Sequence, residues 1–234
     1  MSNEDGTLRH VPRTEATLFD AAPTAASLYL PPVDASAGEL DFVERLAATP
    51  IGETFNQFSG NAGRLQREML LRYLSARRSA EIVLCGGAAG YRGARLSGVA
   101  FTSVAQLGLG TTSEASATIV HRTLAELGLE DDVLLWNVVP THPHPPDNAE
   151  SNRPPTPAEI RTGSAFLREL QAERIMIAVG KVAAAALPGA PSIRHPARGG
   201  AREFASGLRH LALQLEHQPG VLPSGTRPER RPRT

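Results

Sequence analysis

Short apolar runs and amphipathic stretches alternate along most of the chain. Three apolar runs, at residues 82–85, 133–138 and 175–179, are typical of buried strands, and residues 192–194 are predicted to form a brief fourth strand. The stretches around them place apolar residues at helical spacing, as between Leu65 and Leu74. Because strands alternate with helices, the pattern predicts a parallel sheet with helices on both faces. We therefore expect an α/β fold with three α/β/α layers around a central, mainly parallel four-stranded sheet.

Local signals place the boundaries of further elements. A helix is expected from about Ser113, where apolar residues recur at helical spacing. Residues 140–157 contain seven prolines and predict an ordered loop. This loop ends in Thr156, Pro157 and Glu159, the sequence of a capping box, which predicts that a helix begins there.

Length and composition indicate one folded domain. A chain of 234 residues can bury one sizeable core but not two large ones. We expect residues 1–25 to be disordered, residues 26–216 to form the domain, and the arginine- and proline-rich residues 217–234 to be a disordered basic tail. No apolar run is long enough for a membrane helix and no secretory signal is visible, so we expect a cytoplasmic protein.

Cysteine count and charge exclude some classes of site. The single cysteine, Cys85, excludes an intrachain disulfide and any four-cysteine zinc or iron–sulfur site, and we expect neither metal nor cofactor. The net charge of zero argues against a uniformly basic nucleic-acid coat. Residues 86–110 and 194–209 are nevertheless locally basic, and a protein that reads one nucleotide needs only a short basic rim.

The residues that could take part in binding or catalysis follow the predicted strands. In an open parallel sheet, ligands bind beyond the carboxyl ends of the strands. The segments at those ends are residues 86–90, which we call the glycine segment, residues 137–144, residues 180–181 and residues 195–200. Each alone also fits a plain role: the glycine segment a tight turn, Asn137 a structural amide, His195 a loop histidine. The glycine segment lacks the spacing of a dinucleotide site.

Taken in order, these segments resemble the motifs of the uracil-DNA glycosylase superfamily. They are Gly86-Gly87-Ala88-Ala89-Gly90, Gly98-Val99-Ala100-Phe101-Thr102, Leu134-Leu135-Trp136-Asn137-Val138-Val139-Pro140-Thr141 and His195-Pro196-Ala197-Arg198-Gly199-Gly200. They stand where the family has G-Q-D-P-Y or G-E-x-P-G, G-L-C-F-S, L-L-L-N-x-x-x-T and H-P-S. Asn152-Arg153 is similar to the N-R-x-P stretch of the iron–sulfur branch. The resemblance covers about residues 80–210 and implies a DNA repair enzyme.

Two departures define the branch. The cysteine count excludes the iron–sulfur branch, and the first motif is degenerate. Gly87 and Ala88 occupy the positions of the acid that orients the hydrolytic water in the family. Gly90 stands where the best-known branch has the tyrosine that excludes thymine, so we expect space for a 5-substituent on the base.

The resemblance implies a role for each matching residue. The target base is flipped out of the DNA into a pocket, where Phe101 stacks on it. The Asn137 amide donates to uracil O4 and accepts from N3–H, contacts that cytosine cannot make. The glycine segment completes the predicted uracil site with Gly86, Gly87, Ala88 and Gly90. His195 donates to O2 and stabilises the leaving anion, and is the predicted catalytic residue.

Basic and flexible residues near these motifs are the predicted DNA contacts. Arg198, Gly199 and Gly200 would form the loop that enters the gap left by the flipped base. Arg92, Arg95 and Lys181 are further candidates for phosphate contacts.

The sequence thus predicts a monomeric glycosylase that hydrolyses the N-glycosidic bond of uracil in single- or double-stranded DNA and leaves an abasic site. The missing acid leaves a non-catalytic binder of uracil or abasic sites as an alternative, and an unrelated α/β nucleotide-binding enzyme is a further one. The group that orients the water stays open between backbone carbonyls of the glycine segment, Glu114 and Asp147.

Overall fold

The computed structural model describes residues 34–172 and 174–216. The two segments predicted to be disordered, residues 1–25 and 217–234, lie outside the described residues. The elements follow one another as α1 (Ala37–Ala48), α2 (Arg64–Ala76), β1 (Ile82–Ala88), α3 (Ala94–Ser97), α4 (Ala115–Leu127), β2 (Val133–Val139), α5 (Pro157–Gln171), β3 (Ile175–Val179), α6 (Gly180–Ala186), β4 (Ser192–Ile193) and α7 (Ala201–Glu216). No helix within the described ranges has the length and apolar character to cross a membrane.

The four strands form one parallel sheet in the order β2-β1-β3-β4. The predicted parallel four-stranded sheet is therefore confirmed. All four strands end at the same edge, so the segments that follow them meet there. The pairing of β1 with β2 sets Gly86 directly beside Asn137.

Alternation along the strands divides the core into two layers. Val83 and Cys85 pack with α1, α2, α5 and α6 on one face of the sheet. Ile82 and Leu84 pack with α4 and α7 on the other. Because successive side chains of a strand point to opposite faces, Asn137, two positions after Leu135, lies on the α4–α7 face.

Helix α1 is not among the predicted elements, although its sequence carries the signals of one. Ser36 and Glu39 form a complete capping box at its N-terminus. Phe42, Val43 and Leu46 follow at helical spacing and are buried in the core. The helix thus covers the sheet beside α2 and α5.

Side-chain bonds hold the proline-rich loop after β2. The predicted capping box of Thr156 and Glu159 is present at the start of α5. Arg153 donates two hydrogen bonds to the buried Glu159 carboxylate, at 2.8 and 2.6 Å. Asn152 Oδ1 accepts from the Tyr91 backbone N–H at 2.8 Å. The loop is thereby tied to both α5 and the chain that follows the glycine segment.

Candidate active site

A pocket opens beyond the carboxyl ends of β1 and β2. It is lined by Ala88, Gly90, Ala94, Phe101, Glu114, Ser116, Asn137 and His195. Five of these residues, Ala88, Gly90, Phe101, Asn137 and His195, are among the site residues predicted from the sequence. The parallel sheet brings them together although they come from four separate segments of the chain.

The side chain of Asn137 is buried yet makes no hydrogen bond within the described parts of the chain. Only 5% of the residue is exposed. The carboxamide faces the pocket, so its donor and acceptor atoms are available to a ligand there. The Asn137 amide can offer one donor side and one acceptor side to that ligand.

Gly86 does not line the pocket itself but lies directly against the side chains of Asn137 and Phe101. A Cβ atom at Gly86 would lie 2.5 Å from Asn137 Oδ1 and 2.5 Å from Phe101 Cζ. Such separations are shorter than van der Waals contact. Glycine is therefore the residue that lets the carboxamide and the ring approach each other here.

We expect Gly86→Ala to reduce substrate turnover by about 10²-fold, because a displacement of about 1 Å at a reacting site costs that much. The added methyl group must push the Asn137 amide or the Phe101 ring out of place. Steady-state kinetics check this, with Gly38→Ala as the control, since Gly38 is exposed on α1 and a Cβ there would lie no closer than 4.0 Å to another side chain. An unchanged turnover in Gly86→Ala would contradict the proposed geometry.

Phe101 is held in a strained backbone conformation by its neighbours. Its φ is 50°, in the left-handed region that side chains other than glycine rarely adopt. The Ser97 hydroxyl donates to the carbonyl of Thr102 at 2.6 Å. Thr102 Oγ1 lies 3.0 Å from His121 Nε2 on α4. This support sets the Phe101 ring at the pocket wall, with its centroid 5.9 Å from that of His195.

The structure assigns one tautomer to His195. The backbone N–H of Ala197 donates to His195 Nδ1 at 3.1 Å, so Nδ1 is the acceptor nitrogen. Burial, helped by the charge of Arg194, lowers the pKa of His195 and favours the neutral imidazole. The remaining proton is then on Nε2, so the half-buried ring keeps a neutral N–H donor.

A carboxylate also faces the pocket. Glu114, the residue before α4, lies against the chain that follows β1. Its Oε1 is 2.6 Å from the place of a Cβ at Gly90, and a Cβ at Gly93 would overlap its Oε2. Burial raises the pKa of Glu114, and a hydrogen bond with Ser116 partly opposes this rise. The expected open space beside Gly90 is thus absent, because Glu114 fills it.

Sequence comparison identifies the family. A sequence model of the uracil DNA glycosylase superfamily matches residues 74–228, more than half of the chain. The chain belongs to the uracil-DNA glycosylase superfamily. The predicted membership of this superfamily is therefore confirmed.

Structural comparison agrees with this membership. The crystal structure of wild-type SMUG2 from Pedobacter heparinus is similar, with a TM-score of 0.56 and 12% sequence identity. The match covers 75% of this chain and 98% of that one. It confirms the three-layer α/β/α fold of a uracil-DNA glycosylase. No curated protein sequence matches the chain significantly.

The structure separates the two positions of the superfamily's missing acid. The Ala88 side chain faces the pocket. A Cβ at Gly87 would instead point to α6 and meet Val182 Cβ at 3.0 Å. Gly87 therefore does not line the pocket, and a carboxylate introduced there would be directed away from it.

The predicted DNA contacts of this superfamily member lie outside the pocket lining. Arg92, Lys181 and Arg198 are exposed. Arg198 and Gly199 adopt positive φ values of 54° and 80°, so the loop after His195 turns sharply. Gly200 is buried, and a Cβ there would overlap the His195 carbonyl oxygen.

Arg95 differs from the other predicted phosphate contacts. It is half-buried, and its guanidinium lies 4.7 Å from the Tyr91 ring centroid and 5.1 Å from that of Phe55. Burial lowers the pKa of Arg95. The residue therefore packs in an aromatic cluster instead of extending freely into solvent.

The pocket also contains residues that sequence reasoning missed or left open. Ala94 and Ser116 carried no recognisable signal and were not predicted. Of the two acids left open for the water, Glu114 lines the pocket, whereas Asp147 is exposed and does not. The degenerate first motif showed only that the first motif itself supplies no acid, and it left open which group orients the water.

Proposed function

We propose that this chain is a DNA glycosylase that hydrolyses the N-glycosidic bond of uracil in DNA and leaves an abasic site. One observation carries the proposal: the buried, unpaired Asn137 carboxamide shares a pocket with the Phe101 ring and a neutral His195 N–H donor. Superfamily membership supports glycosidic hydrolysis on DNA. Uracil presents the donors and acceptors that Asn137 and His195 would bind, whereas cytosine does not.

The Asn137 amide supports selection of uracil. A base in a duplex must leave the stack to reach such a pocket. There the Phe101 ring would stack on it, while Asn137 Nδ2 donates to O4 and Oδ1 accepts from N3–H. Cytosine presents a donor at position 4 and no hydrogen on N3, so both contacts fail. A buried polar site that is left unpaired rejects such an analogue by about 10⁴-fold.

His195 supports departure of the base. Cleavage of the bond between C1′ and N1 leaves positive charge on the sugar and negative charge on the uracil ring, as in other glycoside hydrolyses. The His195 Nε2–H can donate to O2, where much of that negative charge collects. A fixed donor in a site that excludes water stabilises such charge strongly.

The rim supports binding to the DNA backbone. The exposed Arg92, Lys181 and Arg198 offer cations to phosphates, and the sharp turn at residues 198–199 offers a loop for the gap in the stack.

The proposal is tested with oligonucleotides that contain one uracil, in single-stranded form and opposite guanine or adenine. Base release followed by alkali should cut the strand at the uracil position. Matched strands with cytosine or thymine there should stay intact. If the protein is folded and binds DNA but cuts none of the uracil substrates, the proposal is contradicted.

A non-catalytic role is the second candidate, because the pocket has Ala88 where the superfamily's first motif carries an acid. A binder of this kind would retard uracil or abasic DNA in a gel shift without releasing base. The same oligonucleotides therefore distinguish the two functions.

A further inference from the structure

We propose that Glu114 is the acid that activates the hydrolytic water, in place of the acid that the first motif lacks. This inference rests on the proposed glycosylase function. Glu114 lines the same pocket as Asn137 and His195, but it enters from the segment before α4 and not from the end of β1.

Two glycines accommodate the carboxylate. One oxygen of Glu114 lies 2.6 Å from the place of a Cβ at Gly90, and the other fills the place of a Cβ at Gly93. Any other residue at either position would displace it. The first-motif region therefore contributes no carboxylate to the pocket, and Glu114 contributes one from the segment before α4.

The surroundings of Glu114 suit a base. The residue is half-buried, and it lines the pocket together with the buried Ser116. Within the described residues, no lysine or arginine contributes to its pKa, which burial raises. A carboxylate without a neutralising cation retains its affinity for a proton, as proton abstraction requires.

The other carboxylates do not compete for this role. Of the Asp and Glu residues in the described ranges, Glu114 is the one that lines the pocket. Asp147 is exposed on the proline-rich loop. The Glu159 carboxylate accepts two hydrogen bonds from Arg153, which holds its pKa below the usual range and occupies it structurally.

The step balances without a cofactor. The bond from C1′ to N1 breaks and its electron pair stays on uracil, where the Nε2–H of His195 stabilises the anion. A water oxygen forms the new bond to C1′, and its proton passes to the carboxylate of Glu114. The products are an abasic sugar and a uracil anion, which takes up a proton from solvent.

Glu114→Gln tests the assignment because it keeps the size of the side chain and removes its basicity. We expect the single-turnover rate on uracil DNA to fall by about 10²-fold. Gel-shift affinity for the same DNA should be unchanged. Asp147→Asn is the matched control and should retain the wild-type rate.

Each result decides one question. A wild-type chain that releases no uracil refutes the proposed function itself. An active wild-type chain with an equally active Glu114→Gln variant overturns the role of Glu114, since a purely steric function would survive this change. Equal losses of rate and DNA affinity would also overturn it. If Glu114→Gln does not fold, Glu114→Ala, which removes the buried carboxylate altogether, is measured in the same way and decides by the same criteria.

Discussion

Replacing Asn137 by alanine is expected to slow uracil release by about 10⁴-fold, the largest effect of any single change in the pocket. Without the carboxamide, O4 and N3–H of a flipped uracil would enter the pocket with no partner. Their lost contacts with water would then be uncompensated. The preference for uracil over cytosine should disappear together with the rate.

The same variant should fold as well as the parent chain. The Asn137 side chain makes no hydrogen bond within the described residues, so its removal leaves no protein group there unpaired. Single-turnover assays on uracil and cytosine duplexes measure the rate and the selectivity. Thermal unfolding measures stability, which should not decrease.

Asn56 provides a matched control, because it is a structural asparagine. Its Nδ2 donates to backbone carbonyls of Leu46, Ala47 and Thr49, and its Oδ1 accepts from the Phe58 N–H at 3.0 Å. Asn56→Ala should lower the free energy of unfolding by about 1–3 kcal/mol and spare the turnover of folded molecules. An Asn137→Ala variant that loses stability but keeps its activity would show that Asn137 has a structural role instead.

Replacing His195 by alanine is expected to lower the rate of uracil release by about 10³-fold. The variant removes the donor to O2, whose hydrogen bond strengthens as negative charge develops on the departing base. Because that charge is absent in the bound substrate, the effect should fall on the rate and not on DNA affinity.

Single-turnover rates and gel-shift affinities separate these two quantities. His210→Ala is the control, since His210 is exposed on α7 and does not line the pocket. A His195→Ala variant that binds uracil DNA poorly but turns over the bound substrate at the wild-type rate would assign His195 to binding only.

The strand pattern placed Asn137 and His195 at the carboxyl ends of predicted strands, and the resemblance to the superfamily motifs gave them their predicted roles. Continuous apolar runs defined the strands, and parallel pairing requires the ends of those strands to meet. The strand β1 nevertheless extends to Ala88, beyond the predicted residues 82–85. Glycines are uncommon in strands, so the apolar pattern ended before Gly86 even though the backbone pairing with β2 continues.

The position of Glu114 could not be predicted in this way. It lies outside the strands, and its approach to Gly90 and Gly93 depends on how the loop between α3 and α4 returns across the pocket. The same limit applies to Arg95. Its packing on Phe55 joins residues 40 positions apart, which neither periodicity nor local motifs specify.

The hydrogen bond from the Ala197 amide to His195 Nδ1 has a consequence for which bases can leave. With that nitrogen occupied, the imidazole has no second site for relaying a proton and would become an anion by giving up the one it holds. In the proposed reaction, the departing ring would therefore carry its electron pair away unprotonated. Bases whose rings tolerate negative charge poorly would remain attached to the sugar even when their shape fits.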